Sequence, residues 1–446
     1  MADNNKPLFS RPVLAMVMLF CTLAIWVLSL TAPSSKLPTP EIEKWNTTSG
    51  IPVIWLKQTD WKYGDKLEIR FVFQSNTADA ALSQTTLAML MSNSLPLSTA
   101  SINQRLVPLA AHANSHYDHE SQIIGLTLSN QLQYLIPTLS LVTNWLKQPD
   151  FKQRTFDRWQ RQHKKNSFKQ TVEQLLFTRK NVTNQPSTEE HITATTPISL
   201  DQVRSHYQAL KSSSIAIYVI GDMPPTAKLA VEKALDTISQ NYRLANLVEK
   251  SEKNQIDSQI IEINKQETST LWQSRSAVAI NPLSSVTEWV SLQIWGADLV
   301  STLNKQPSID FVQLGLTLSA KRPWVEWNTQ YANHLVTDEN IQGKQDQQLA
   351  AVKRFVFTEK IPSFNNEKAF STLLETFKTQ LEQQTQSPTW WSYIATQVTH
   401  EGEQLTLKEF ANNYKEAIDT FTMEDYQRSL KHLLKQSTYQ EIQVYQ

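Results

Sequence analysis

Residues 51–74 read IPVIWLKQTDWKYGDKLEIRFVFQ, and the first folded elements can be read directly from this stretch. Its two ends, 51–58 and 66–74, are rich in β-branched and aromatic residues, which favour the strand conformation. Gly64 lies between them, where glycine permits the backbone to turn sharply. The stretch therefore predicts two paired strands at the start of the folded body.

The remainder of the chain alternates between helix and strand patterns. Apolar residues spaced by three and four predict helices at 79–93, 101–110, 132–147, 226–242, 285–303, 368–384, 389–399, 407–420 and 423–435. Short apolar runs predict strands at 122–128, 213–221, 260–262, 277–280, 314–320 and 439–444. A chain of 446 residues exceeds one ordinary domain. We therefore expect an α+β protein of two similar domains, each a mixed β-sheet flanked by helices, with bounds 46–245 and 259–446 and a polar linker at 246–258.

The N-terminal region predicts one membrane-spanning helix before the folded body. Residues 13–30 read VLAMVMLFCTLAIWVLSL and carry no charge, and eighteen helical residues span about 27 Å. Lys6 and Arg11 precede this stretch, which favours a cytoplasmic N-terminus. We expect a cytoplasmic tail at 1–11, an anchor at 12–31 and an extended tether at 32–45. A cleaved signal peptide is the alternative, although residues 30–33 lack the usual cleavage pattern.

Charge and cysteine content exclude several classes of function. Lysine plus arginine and aspartate plus glutamate both number 42, so no excess of positive charge attracts nucleic acid. The only cysteine, Cys21, lies in the apolar N-terminal stretch. The body therefore has no thiol for a disulfide, a metal or nucleophilic attack. We expect neither nucleic-acid binding nor a cofactor.

Several stretches, in order, resemble one family of peptidases. They are GIPVIWLKQ with IRFVFQSNTAD, LVPLAAHANSHYDHESQIIGLTL with NWLKQPDF, LDQVRSHYQALKSSSIAIYVIGDMP, and the regions 295–320 and 357–388. Together they resemble the pitrilysin/insulinase zinc peptidases, especially two-domain members similar to mitochondrial processing peptidase. The resemblance covers nearly all of residues 46–446. It implies two related domains and a protein that works as one of a pair of subunits.

The family's zinc motif is missing from this sequence. Its members carry H-x-x-E-H on a helix, where two histidines bind zinc and the glutamate activates water. The matching stretch here, ALSQTTLAML, has Gln84 and Ala88 at the histidine positions and Leu87 at the glutamate position. Lys164 and Lys165 lie where the family has its third ligand, a glutamate. The resemblance therefore implies a homologue that has lost its zinc site and has no catalytic residues.

The stretch HANSHYDHE at 112–120 holds the remaining site candidates. His112 and His116 would share one face of a strand and are weak candidates for a relocated metal site. A solvent-facing polar strand is the interpretation that we favour. The resemblance places Asn114 and Ser115 where the family has residues beside the substrate backbone. They are therefore candidates for binding an extended peptide by strand addition.

The function that follows from the sequence is that of a non-catalytic subunit. We expect it to be held in a bacterial inner membrane, with its body in the periplasm, and to pair with and support or regulate a homologous, active zinc peptidase. A scaffold or peptide-binding protein of the cell envelope without a protease partner is the first alternative. A peptidase with unconventional metal ligands is the second.

Overall fold

The structure, a computed structural model, describes residues 37–58, 61, 64–75, 80–118, 121–163, 198–245, 259–266, 269–318, 323–332, 361–398 and 404–446. Residues Pro38–Gln446 form one compact unit. The predicted tail at 1–11 and the predicted anchor at 12–31 lie outside the described residues. No helix within the described ranges is long and apolar enough to cross a membrane.

The first half of the chain forms a six-stranded sheet. Its strands are β1 Glu41–Asn46, β2 Pro52–Lys57, β3 Lys66–Gln74, β4 His112–Tyr117, β5 Ser121–Ser129 and β6 Ser214–Ile220. Their order across the sheet is β1-β2-β6-β3-β5-β4. The pair β2 and β6 runs parallel, whereas the other neighbours run antiparallel. This places β4 at an edge of the sheet.

The second half forms a five-stranded sheet with the same connectivity. Its strands are β7 Gln259–Ile263, β8 Leu271–Ala279, β9 Ile309–Thr317, β10 Trp324–Tyr331 and β11 Gln440–Tyr445. Their order is β7-β11-β8-β10-β9, and only β7 and β11 run parallel. Apart from β1, both sheets therefore follow the order first, fifth, second, fourth, third along their half of the chain. The prediction of two similar α+β halves with mixed sheets is confirmed.

Helices connect the strands and pack on the sheets. They are α1 Ala80–Met91, α2 Ile102–Leu106, α3 Leu132–Lys147, α4 Gln153–His163, α5 Leu200–Lys211, α6 Pro225–Ser239, α7 Val286–Asn304, α8 Pro362–Asn365, α9 Glu367–Gln384, α10 Pro388–Gln397, α11 Leu407–Asp419 and α12 Met423–Leu433. Capping boxes satisfy the first backbone N–H groups of α2, α5, α11 and α12. In each half one long helix contacts the sheet: α3 touches β5, and α7 touches β9.

The central strand β3 separates an apolar layer from a polar one. Its residues Leu67, Ile69, Phe71 and Phe73 point into the hydrophobic core of the first half, because alternate residues of a strand face opposite sides. Full burial of such a side chain contributes about 1.5–3 kcal/mol. The residues between them face the other side, where α10 of the second half contacts β3 and β6. The two halves therefore meet on that side of the first sheet.

The folded unit begins at residue 38, earlier than the predicted end of the tether at 45. The carbonyl of buried Pro38 accepts a hydrogen bond from the hydroxyl of Tyr414. Strand β1 pairs with β2, and Trp45 packs edge-on against Trp55 with ring centroids 6.4 Å apart. The sequence EIEKWN does not show a strand pattern, because Ile42 and Trp45 are its only large apolar residues. Strand β1 therefore begins before residue 46, the predicted start of the first domain, and belongs to the sheet of the first half.

An ion pair also holds β1 against the first half. The ammonium of Lys228 lies 2.9 Å from a carboxylate oxygen of Glu43 and 4.8 Å from the centre of the Trp55 ring. The hydrogen bond from Lys228 lowers the pKa of Glu43 below its ordinary value. Because the folded-state pKa is depressed, this contribution to stability is present above the ordinary pKa of the carboxyl. It is lost as the pH falls through the lowered value.

The elements β1, β10, α4 and the short helix α8 were not predicted from the sequence. The predicted helix at 101–110 is the short helix α2 followed by a 3₁₀ turn at Val107–Leu109. The predicted strand at 277–280 is the end of β8, whose first residues LWQSR are too polar for an apolar pattern. The predicted strand at 314–320 overlaps only the second part of β9, which begins at Ile309, and the remaining predicted helices and strands lie within a few residues of observed ones.

Candidate functional site

Helix α1 carries Gln84, Leu87 and Ala88, the three residues that the resemblance aligns with the family's zinc motif. It contacts β4, α4 and α5, so it lies beside the edge of the first sheet. Gln84 and Ala88 are one helical turn apart and half-buried. Leu87 is 3% exposed and belongs to the hydrophobic core. The glutamate position of the motif is thus occupied by a core residue with no lone pair to offer a metal or a water molecule.

No group of three or more histidine, cysteine, aspartate or glutamate residues within the described ranges is arranged to hold a metal ion. Lys164 and Lys165, the predicted replacements for the third ligand, lie outside the described residues. His112 and His116 are both exposed on one face of β4. A carboxylate oxygen of Asp118 lies 3.9 Å from Nε2 of His116. The two histidines therefore lie on the solvent-exposed face of β4.

A serine–histidine contact beside α1 has the residue types of a nucleophile and its base. The hydroxyl of Ser83 lies 3.4 Å from Nε2 of His206, and the same nitrogen lies 3.2 Å from the amide oxygen of Gln122. Ser83 is fully buried. A buried hydroxyl cannot reach a peptide bond, so this contact joins α1, α5 and β5 and has no catalytic geometry.

The edge strand β4 is partly occupied by a side chain of the same protein. The amide nitrogen of Asn103 donates to the carbonyl of Ala113 at 2.8 Å, and the N–H of Ala113 donates to the amide oxygen of Asn103 at 2.7 Å. Asn103 thus makes the two bonds that an added strand would make at Ala113. Alternate residues of an antiparallel strand turn their backbone groups to the same edge. Ser115 is therefore the next position at which an extended peptide would pair.

Asn114 is exposed and rests on a glycine of the neighbouring strand. A Cβ atom at Gly125 would lie 2.1 Å from the amide oxygen of Asn114 and 2.7 Å from Nη1 of Arg70. Both distances are far below normal contact, so any side chain at position 125 would displace these groups. Asn114, the predicted peptide-binding residue, is thereby held over a buried guanidinium. Ser115, the other residue predicted to bind peptide, is half-buried on the opposite face of the strand.

Beneath Asn114 lies a buried ion pair that sequence reading missed. A guanidinium nitrogen of Arg70 is 2.7 Å from a carboxylate oxygen of Glu68, and Glu68 is fully buried. The hydroxyls of Thr127 and Thr389 also donate to this carboxylate, at 3.0 Å and 2.7 Å. Thr389 belongs to α10 of the second half. The pair therefore joins β3, β5 and the second half of the chain on one polar face.

The second half repeats this arrangement. Arg275 is the fifth residue of β8, as Arg70 is the fifth residue of β3. It is 8% exposed and lies 2.6 Å from a carboxylate oxygen of Glu326 on β10. Both halves thus pair a buried arginine with a glutamate, although Glu326 is half-buried whereas Glu68 is fully buried. In both halves the ion pair links neighbouring elements of the sheet, β3 and β5 through Glu68 and β8 and β10 through Glu326.

Comparison with known proteins identifies relatives by structure alone. No protein-family model and no curated protein sequence matches the chain. A protease from Helicobacter pylori superposes with a TM-score of 0.62 and 11% identity, over 91% of this chain and 100% of that one. The peptidase M16 inactive domain from Pseudomonas fluorescens gives 0.62 and 13% identity, over 91% of this chain and 98% of its own.

A third solved structure is about twice as long as this chain. The periplasmic protease PqqL from Escherichia coli superposes with a TM-score of 0.62 and 13% identity, over 93% of this chain and 46% of PqqL. At such identities the likeness shows the fold. Pitrilysin is among the solved structures that match. The chain therefore has the two-domain α+β fold of the M16 peptidases, and its resemblance to the pitrilysin/insulinase group is confirmed at the level of the fold.

Proposed function

We propose that this chain is a non-catalytic M16-type subunit that pairs with an active zinc peptidase and supports or regulates it. The observation that carries the proposal is the composition of α1 beside the edge strand β4. In an active enzyme this helix would present two imidazoles and a carboxylate. Here Gln84 and Ala88 offer no good zinc ligand, and Leu87 is packed in the core. Such a chain would contribute a folded domain and an interaction surface to the pair, but no catalytic residues.

The size of the chain supports the pairing. It spans 46% of PqqL, and it matches a separate structure of the first half of PqqL over 92% of that half. A chain of half that length supplies half of such an assembly. One of its solved neighbours is described as an inactive M16 domain, so an inactive domain with this fold is known. A stable pair would bury more than roughly 1,000 Å².

The pairing is tested by purification from membranes. We expect the tagged, full-length protein, extracted in mild detergent, to bring down a chain of similar length that carries H-x-x-E-H. The mixture is expected to cleave peptides that this chain alone leaves intact. If the purification yields only this protein, or if the other subunit is equally active without it, the pairing is wrong. The scaffold or peptide-binding function then becomes the better account, and Asn114 on β4 is its first candidate residue.

We also propose that residues 13–30 anchor the chain in an inner membrane with the body in the periplasm. The eighteen uncharged residues and the preceding Lys6 and Arg11 support this orientation. Alkaline phosphatase fused after Leu37, where the compact unit has not yet begun, is expected to be active. The full-length protein is expected to remain with membranes in a carbonate wash. A soluble mature protein beginning near Pro33 would contradict the anchor and indicate a signal peptide.

The second alternative, a peptidase with unconventional ligands, has only His112 and His116 in its favour. Both are exposed on the same face of β4. A zinc ion in a catalytic site needs three protein ligands, and no third acidic, histidine or cysteine side chain joins these two within the described residues. Mutation of both histidines is therefore expected to leave any activity of the pair unchanged.

A further inference from the structure

The start of helix α3 exposes two large apolar side chains. Leu132 and Ile136 are 40% and 56% exposed and lie about one turn apart, although Leu135 and Leu139 of the same helix are buried. Lys147, the last residue of α3, is its only charged residue. Solvent therefore meets an uncharged, partly apolar helix surface at this end of the first half.

Helix α6 runs beside α3 in the same direction, and the two helices contact each other. The side-chain amide of Asn130, just before α3, donates to the carbonyl of Asp222, just before α6, at 3.0 Å. At the far ends, the ammonium of Lys147 lies 3.4 Å from the amide oxygen of Gln240. Leu229, in the first half of α6, is 68% exposed. It therefore lies at the same end of the body as the exposed start of α3.

The exposed side chains of α3 lie on its flank toward α6. Ile136 and Lys147 are eleven residues apart, which is about three turns, so they share one side of the helix. The side chain of Lys147 meets the end of α6. Leu132 lies one turn before Ile136, on the same flank. Ile136 and Leu132 thus border the groove between the two helices.

A fourth exposed apolar residue, Val107, lies at this end. It is 67% exposed in the 3₁₀ turn Val107–Leu109, which contacts α3. His112 of β4 pairs with Thr127 of β5, so the turn that precedes β4 and the helix that follows β5 lie at one end of this strand pair. We define the apolar end surface as Val107, Leu132, Ile136 and Leu229.

The first strand of the body starts at the same end. Glu41, the first residue of β1, pairs with Lys57, the last residue of β2. Strand β2 runs parallel to β6, which leads into α6. Within β1, the carboxylate of Glu43 lies 2.9 Å from the ammonium of Lys228, the neighbour of Leu229. The chain that precedes β1 therefore enters the body at the end that carries the apolar end surface.

We propose that the apolar end surface lies on the lipid bilayer, with its aliphatic side chains among the head groups and upper acyl chains. This inference rests on the proposed anchor at 13–30. Residues 31–37 span at most about 25 Å when fully extended, so the bilayer is within reach of this end. A short flexible tether makes the contact intramolecular, with an effective concentration in the millimolar range. Four side chains therefore suffice without tight binding of their own.

A protein partner fits this surface less well than lipid does. The cores of protein interfaces are enriched in aromatic residues and arginine, whereas the four exposed side chains here are all aliphatic. Lys228, beside Leu229, is engaged by Glu43. A bilayer requires only an uncharged apolar area close to the anchor, which this end of the body provides.

The test uses the full-length protein reconstituted in vesicles of phosphatidylcholine and phosphatidylglycerol. Cys21→Ser removes the only thiol of the chain, and Ile136→Cys then carries an environment-sensitive dye. Leu244→Cys is the matched control, because Leu244 is 53% exposed and bridges to Ser214, the first residue of β6, at the opposite end of that strand. We expect spin labels near the lipid head groups to quench the dye at position 136 at least about twofold more than the dye at position 244.

A pair of glutamates on the surface is expected to abolish this difference. In the Ile136→Cys protein, L132E/L229E should lower the quenching to that of the control position, because carboxylates oppose entry into lipid. S371E/Q380E adds the same charge on the exposed side of α9 and is expected to leave the quenching unchanged. Circular dichroism must show that both variants are folded. Equal loss of quenching in the two variants would overturn the proposal.

A carbonate wash of the same vesicles separates this surface from the anchor. If the protein stays with the vesicles but the dye at position 136 is quenched no more than the dye at position 244, the apolar end surface does not touch lipid and only the anchor stands. Release of the protein by carbonate would overturn both proposals. Shielding of the dye from aqueous iodide without quenching by lipid would overturn this proposal in favour of a protein partner.

Discussion

Replacing Leu87 by glutamate is expected to lower the free energy of unfolding by about 4 kcal/mol or more. Leu87 is 3% exposed within the core of the first half, so the substitution removes its apolar burial and places a carboxylate where water cannot reach it. Urea unfolding followed by circular dichroism measures the change. The same substitution supplies the glutamate of the family's motif. The measurement therefore also tests whether a zinc site could be built here by local substitutions.

Ala88→Glu is the matched control, since it adds the same charge one residue along α1 at a half-buried position. We expect it to cost about 1–2 kcal/mol. If Leu87→Glu unfolds no more easily than Ala88→Glu, position 87 faces an open site. Binding of zinc by the triple variant Q84H/L87E/A88H would lead to the same conclusion. Either result would mean that the ancestral site survives in shape and that only its ligands were lost.

The second large effect is expected at the buried ion pair on β3. Glu68→Ala leaves the guanidinium of Arg70 buried without its carboxylate, which is expected to lower the free energy of unfolding by about 3–5 kcal/mol. It also removes the acceptor for the hydroxyls of Thr127 and Thr389. Thr389→Val removes only one hydrogen bond to this carboxylate and is expected to cost about 1 kcal/mol. Urea unfolding of the three proteins gives both values.

Glu375 provides the control for this prediction, because it pairs with Lys378 on the exposed side of α9 at 3.4 Å. Glu375→Ala is expected to change the free energy of unfolding by less than about 0.5 kcal/mol. Similar values for Glu68→Ala and Glu375→Ala would show that the pair on β3 is solvated. Since Thr389 belongs to the second half, we also expect Glu68→Ala to weaken the contact of α10 with the first sheet.

Most of the fold could be predicted from the sequence, because the spacing of apolar residues that indicates helices and strands is local and periodic. Strand β2 and helix α7 could be read from the spacing of their apolar residues, and the repeat of one α+β pattern predicted two similar halves. Strand β1 could not be read in this way, because an edge strand with one solvated side has few apolar residues. The prediction for β8 was too short for a related reason. The polar residues in the first part of this strand face a buried layer of polar groups, which only the tertiary structure reveals.

The candidate site was predicted in part. The resemblance located α1 and the edge strand β4, and the structure places them side by side. The roles of Glu68 and Arg70 were missed, although two opposite charges two residues apart in an apolar strand share one face and were visible in KLEIRFVFQ. The hydrogen bonds of Asn103 to Ala113 could not be foreseen, because they depend on how α2 packs against β4.

The i, i+4 spacing of Leu132 and Ile136 was also visible in the sequence, but it did not separate them from the core residues of α3. Only the structure shows that Leu135 and Leu139 are buried while Leu132 and Ile136 face solvent. The packing of α6 beside α3, which brings Leu229 to the same end, is likewise a tertiary feature. Periodicity therefore predicts which residues share a face, whereas the packing decides whether that face meets a partner, the core or water.

The zinc content of the purified full-length protein tests the central claim most directly. After exposure to zinc and exhaustive dialysis, the account predicts far less than one zinc ion per chain, because Gln84, Leu87 and Ala88 replace the motif that would hold it. Elemental analysis gives the value, with the parent protein and the variant H112A/H116A measured side by side. About one zinc ion per chain, lost in that variant, would contradict the account and establish a relocated metal site on β4.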